Sequence, residues 1–125
     1  MATYYCCEGG TAASLAAASL GGGGDPADVS KCASIAKVNT GTGGVGGAAL
    51  GAGDVVYFST IGGDFTARLQ PAKGGAAGNP ITYANLPGQT PAATWTSSNS
   101  VLHGRDAAND AAASYVTYDG FTHVG

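Results

Sequence analysis

Gly78-Asn79-Pro80-Ile81-Thr82-Tyr83, with Pro87-Gly88 and Pro91 close behind, is the stretch whose reading decides the fold. Proline fixes its own φ and biases the residue before it toward extended geometry, so Asn79 cannot continue a helix into Pro80. Ile81, Thr82 and Tyr83 suit a pleated, half-buried surface. Pro87-Gly88 then turns the chain again. The unit is turn, short strand, turn. A chain built from many such units stacks one coil on the next as a parallel β-helix.

Outward from this stretch, other segments read the same way. Thr3 to Cys7 is a strand candidate near the start of the sequence. Asp54–Thr60 carries the strongest strand signal, with Val55, Val56, Tyr57 and Phe58 in a row. Phe65–Leu69 alternates apolar and polar residues. Ile81–Ala84, Ala92–Trp95, Ser100–His103 and Ser114–Tyr118 continue the series, and Phe121–Val124 begins another strand. Asp25-Pro26 opens a helix: Asp25 as N-cap, Pro26 at the first helical position and Asp28 in the first turn. Val29, Cys32, Ala33 and Ala36 form its apolar stripe, with Ile35 at its edge, and the spacing predicts an end near Asn39. Gly9–Gly24 reads as loop, with a short helix allowed over Ala12–Leu20, and Thr40–Gly53 as a Gly-rich surface loop. The strand centres near Thr82, Val101 and Val116 are spaced compatibly with coils joined by short turns, although no tandem repeat is visible. Val56, Phe58, Leu69, Ile81, Tyr83, Val101 and Val116 are the expected core.

Taken in order, these segments resemble the N-terminal cap and first coils of right-handed β-helix proteins of the pectate-lyase-like superfamily. Gly78–Tyr83 with Pro87-Gly88 resembles a strand and turn of that family. Ala2–Tyr5 resembles its opening cap strand, Gly53–Phe58 the strand after the cap helix, and Tyr115–Phe121 the first full coil strand. The likeness is scattered over residues 2–7, 29–39, 53–70, 78–91 and 114–122. It implies an all-β fold: a short right-handed parallel β-helix with one N-terminal capping α-helix and long Gly/Ala-rich loops. The chain then forms one domain over residues 1–125, with strand, loops and cap helix in 1–52 and coils in 53–125. A cap answers a physical need, because an uncovered first coil exposes apolar core and unpaired strand edges. In the resembled lyases the calcium ligands and the base lie on coils beyond the cap, so an enzyme is not the expectation here.

Composition narrows the function classes. The 125 residues carry a formal net charge of −3 and only 10% charged side chains, well below the usual quarter. That balance leaves no electrostatic footprint for nucleic acid. Thr11–Leu20 is apolar, but no basic segment precedes it and it is too short to span a bilayer, so no membrane partner and no signal peptide are expected. Low charge with many Gly, Ala, Ser and Thr residues is associated with extracellular or virion β-structure.

Few residues carry reactive chemistry. Asp54, Asp64 and Asp119 each adjoin a glycine at a strand boundary, where a turn-forming role outweighs a catalytic one. His103 and His123 fall at strand ends, and a solvated or satisfied histidine is the better reading. The glycines of 41–47 lack a following Lys-Ser/Thr, which argues against a phosphate loop. No cofactor, catalytic residue or metal site is expected. Cys6 and Cys7 are adjacent and point to opposite faces of a strand. One of them, Cys7 in the pairing carried forward, could bridge to Cys32. That would close a loop of about 25 residues worth about 3 kcal/mol. Three buried thiols are the equal alternative.

Two uses of the aromatic residues stand side by side. Tyr83, Trp95, Tyr115 and Tyr118 could form a sugar-stacking face, with Trp95 foremost because it stands alone in a polar run; the plainer use is core filling. This leaves two functional expectations. One is a structural module that associates end to end as a homo-oligomer or filament, or attaches to a larger phage-tail or extracellular fibre assembly. Val116, Tyr118, Phe121 and Val124 would then be interface residues, because Ser114–Phe121 is rich in β-branched and aromatic residues with no guarding Lys or Pro after it. The other is a carbohydrate-binding module, or a truncated relative of a polysaccharide lyase, with a polysaccharide partner.

Overall fold

The computed structural model describes residues 2–41, 50–67, 69 and 75–95, together with the backbone of 116–119 and 122–123. Six strands occur in this part: β1 (Thr3–Cys7), β2 (Val55–Ser59), β3 (Ile81–Asn85), β4 (Thr94–Trp95), β5 (Val116–Asp119) and β6 (Thr122–His123). One short helix, α1, covers Ile35–Thr40. Strands β1, β2, β3 and β5 form a parallel sheet in that order, and β4 pairs with β6 in a second, two-stranded sheet. The main sheet is in register: Tyr4 stands beside Val56, Val56 beside Tyr83, and Tyr83 beside Tyr118.

Side-chain alternation decides what this sheet buries. Tyr4, Cys6, Val56, Phe58, Ile81 and Tyr83 are buried in one core with Leu15, Ile35, Val38, Leu50, Phe65, Leu69, Ala93 and Trp95. The expected core residues Val56, Phe58, Leu69, Ile81 and Tyr83 are therefore inside; Val101 lies outside the described residues. On the other face Tyr5 and Tyr57 remain half-buried and stack with ring centroids 6.4 Å apart. Parallel strands need long crossovers, and residues 8–54, 60–80 and 86–115 supply them.

The short right-handed parallel β-helix expected from the sequence is not shown. A coil of such a fold needs each strand of the main sheet to be followed by strands that stack in sheets of their own. The described crossovers instead hold 3₁₀ turns at Ala16–Ala18, Leu20–Gly22, Val29–Lys31 and Thr60–Gly62. Among the described residues, parallel pairing beyond the main sheet is limited to β4 with β6 and single bridges such as Phe65 with Trp95. Crossovers rich in Gly and Ala have low β propensity and little to pack, so they turn rather than extend. Phe65–Leu69 is likewise not a strand: Phe65 and Leu69 are buried residues that each make only a single bridge.

The single cap helix expected over 26–39 is also corrected. Asp25 accepts from the Ala27 amide, and Asp28 caps the 3₁₀ turn Val29–Lys31 by accepting from Ser30. The chain then leaves helical geometry: Cys32 is extended at φ −116°, ψ 147°. A second start follows, with the Ser34 hydroxyl accepting from the Lys37 amide, and α1 ends at Gly41, which adopts φ 65° and donates to the Lys37 carbonyl. The break has a tertiary cause. Ala33 forms a parallel bridge with Cys6, donating to the Tyr5 carbonyl at 2.9 Å and accepting from the Cys7 amide at 3.2 Å. The β1 edge thus claims the middle of the expected helix. Ile35 and Val38, not Ala36, are the helical residues that reach the core, and Ala36 is exposed.

Candidate functional site

The two edges of the main sheet differ. Beside β1 the edge is covered, through the Cys6–Ala33 bridge and an antiparallel bridge between Tyr4 and Ser19. At the other side stands β5, paired with β3 from Ile81–Val116 to Ala84–Asp119 and with no strand beyond it among the described residues. A strand edge of this kind presents backbone N–H and C=O groups to any chain that can pair with them. Of the residues expected at an interface, Val116 and Tyr118 lie on β5, in register with Ile81 and Tyr83. Phe121 and Val124 lie outside the described residues, as do Tyr115 and His103.

Two of the aromatic residues expected on a sugar-stacking face are placed otherwise. Trp95 and Tyr83 are both 0% exposed. Trp95 stacks on Phe65 with centroids 4.5 Å apart and meets Phe58 edge to face, and its Nε1 donates to the Ala67 carbonyl at 3.0 Å. A ring covered on both faces offers no platform to a sugar, so these two residues belong to the core. The stacked pair left half-exposed is Tyr5 with Tyr57, on opposite strands of one pair. Sequence reading had a signal for it, since both residues alternate with the buried positions of their strands.

Asp54 is the buried carboxylate of this region. Its Oδ1 accepts from the Ala2 amide at 2.7 Å and its Oδ2 from the Gly51 amide at 2.9 Å. It holds the start of β1 against the turn that enters β2, which is the turn-forming role the sequence suggests. A second brace went unread in the sequence. Asn85 Oδ1 accepts from Gln89 Nε2 and from the Ala93 amide, while Gln89 Nε2 also donates to the Phe58 carbonyl and Gln89 Oε1 accepts from the Thr60 amide. These contacts tie the ends of β2 and β3 to the approach to β4. The signal was an Asn closing a strand just before Pro87-Gly88.

Cys6, Cys7 and Cys32 are all buried free thiols. All three are thiols here, the alternative to a Cys7–Cys32 bridge, and the Cys32 thiol donates to the Asp25 carbonyl at 3.2 Å. Burial pushes the Cys6 thiol well up, reinforced by the neighbouring Cys7 and Glu8 charges. Burial also pushes the Tyr4 phenol up, with Asp54 adding to it. Unfolded Cys and Tyr ionise near about 8.5 and 10. In the fold both groups keep their protons to higher pH, so their contribution to stability is complete below about pH 8.5 and is lost as pH rises. Within the thiol pair, Cys32 is raised and adds to this trend, while Cys7 is lowered and opposes it. The urea midpoint is therefore expected to fall from about pH 8.5 to about 11. Cys6→Ala should make the fall shallower; a wild-type profile flat across that range would contradict the assignment.

Among the described residues no group of three or more His, Cys, Asp and Glu side chains is arranged to hold a metal ion, and no helix is long and apolar enough to cross a membrane. Comparison of the chain with family models, curated proteins and solved structures returned no match.

Proposed function

We propose that this chain is a structural module that associates with further copies of itself, end to end, through the edge of β5. The observation that carries this is the asymmetry of the sheet: the β1 edge is covered by Ala33 and Ser19, whereas β5 has no neighbour beyond it among the described residues. The β5 sequence, Val116-Thr117-Tyr118-Asp119, has neither Lys nor Pro, the residues that ordinarily block such an edge. Because the β1 edge is covered, the second surface is not that edge but the Gly-rich N-terminal side of the next copy, and a head-to-tail contact of this kind grows as a filament where its rotation does not close a ring. The low charge content favours such packing, because few like charges oppose it. An extracellular or virion-associated setting, within a fibre or tail assembly, suits this composition.

The test is a guarded edge. Thr117 is in register with Thr82, which is half-buried on the outer side of the sheet, whereas Val116 is in register with the fully buried Ile81. Lysine at 117 should therefore guard the edge without placing a charge at a core position. The wild-type mass measured by light scattering is expected to rise with concentration past that of a dimer, and Thr117→Lys to remain a folded monomer. A wild-type monomer at all concentrations would overturn the reading. A mass that stops at the dimer would overturn its end-to-end form.

A further inference from the structure

Alternation along β1 places Cys6 in the core and Cys7 on the opposite face. Ala33 is bridged to Cys6 on the core side, so Cys32, one residue earlier, falls on the same side as Cys7. The loop 25–32 closes over them. The Ser59 hydroxyl, in register with Cys7, donates to the Pro26 carbonyl, and the Cys32 thiol lies 3.2 Å from the Asp25 carbonyl. Cys7 and Cys32 thus lie on one side of β1, both against the turn at Asp25-Pro26, while Cys6 is turned away into the apolar core.

We propose that Cys7 and Cys32 are a dithiol site, oxidised by a small-molecule disulfide to a cross-link that fastens the loop 25–32 to β1, with Cys6 left as the free thiol. The Cys7 sulfur attacks one sulfur of the small disulfide, forms a mixed disulfide and expels the first small thiolate. The Cys32 sulfur then attacks the Cys7 sulfur, forms the cross-link and expels the second. The two protein thiols are oxidised, the small disulfide is reduced to two thiols, and the two protein protons pass to the leaving thiolates. The order follows from the environment. The Cys32 thiol donates to the Asp25 carbonyl, which holds its proton in place. The neighbouring Cys32 thiol lowers the Cys7 thiol below its ordinary range, which makes Cys7 the first attacker. Cys6, pushed well up by burial, remains protonated. Both partner thiols are fully buried, so the reaction waits on opening of the loop, which the Ser59 hydroxyl and the Thr11 and Ala12 amides tie down at Pro26, Val29 and Cys32.

The experiment uses the full chain, reduced and then incubated with oxidised glutathione under native conditions. Trypsin cleaves after Lys31 and Lys37, which releases Cys32 on a short peptide separate from Cys6 and Cys7. The expected result is a chain linked only within itself and lighter by two hydrogens, in which fragmentation between residues 6 and 7 assigns the cross-link to Cys7 and the alkylated thiol to Cys6. Its melting temperature should exceed that of the reduced protein by roughly 10 °C, since the closed loop is of moderate length. Cys6→Ala should cross-link as the wild type does, and Cys7→Ala should not. A link from Cys6 to Cys32, links only between chains, or no link after prolonged incubation would each overturn the proposal. The wild-type mapping decides the matter even if a variant fails to fold.

Discussion

Trp95→Ala is expected to lower the unfolding free energy by about 3–5 kcal/mol, the range for removing a large buried aromatic side chain. The indole fills the space between Phe65 and Phe58, and all three rings are fully buried. Its loss removes the stacked contact at 4.5 Å and the edge contact at 5.4 Å, and it leaves the Ala67 carbonyl without the Nε1 donor. The rings come from three separate segments, Phe58 from β2, Phe65 from the crossover after it and Trp95 from β4, so the cavity cannot collapse by moving one element. Urea unfolding of wild type and variant measures the difference. A change below about 1 kcal/mol would show that the indole is not a core residue.

Asp54→Ala comes next in size, at about 2–4 kcal/mol, because it orphans two backbone donors at once. The Ala2 and Gly51 amides both lose a charge-assisted bond, at 2.7 and 2.9 Å. Asp64 is the internal control. It also adjoins glycine, but it is exposed, and Asp64→Ala is expected to stay within about 0.5 kcal/mol of wild type. Equal effects at the two positions would contradict the role given to Asp54. Asn at 54 should recover only part of the loss, since one amide oxygen cannot accept from both amides as the two carboxylate oxygens do.

Sequence pattern located the strands that carry strong β formers. Val55–Phe58 and Ile81–Tyr83 lie inside β2 and β3, and Thr3–Cys7 is β1. It failed wherever a long-range contact overrode a local preference. Cys32-Ala33 reads as helix from its spacing, yet the open edge of β1 captures it as an extended bridge, and that pairing cannot be seen without the sheet. The polar flanks of Trp95 suggested exposure. In a strand, however, a residue's neighbours face the other way, so a half-buried Thr94 is compatible with a fully buried Trp95. The β-helix expectation extended the strand pattern into crossovers that hold 3₁₀ turns and single bridges instead.

The candidate site was legible only in part. An unguarded strand was visible at Ser114–Tyr118, where β5 runs on to Asp119, but the covered opposite edge was not, because it depends on Ser19 and Ala33 reaching β1 from separate turns. The cysteine reading left Cys6 and Cys7 as alternatives, and it took the register of Ala33 beside Cys6 to separate them.

The central claim is that the β5 edge is where copies meet, and backbone hydrogen exchange as a function of protein concentration tests it most directly. Amides of residues 116–119 that do not pair with β3 should gain protection as concentration rises, while those of 55–59, inside the sheet, stay unchanged. In Thr117→Lys the gain should vanish. Protection at 116–119 that is independent of concentration in the wild type, or that rises equally in the lysine variant, would contradict the account.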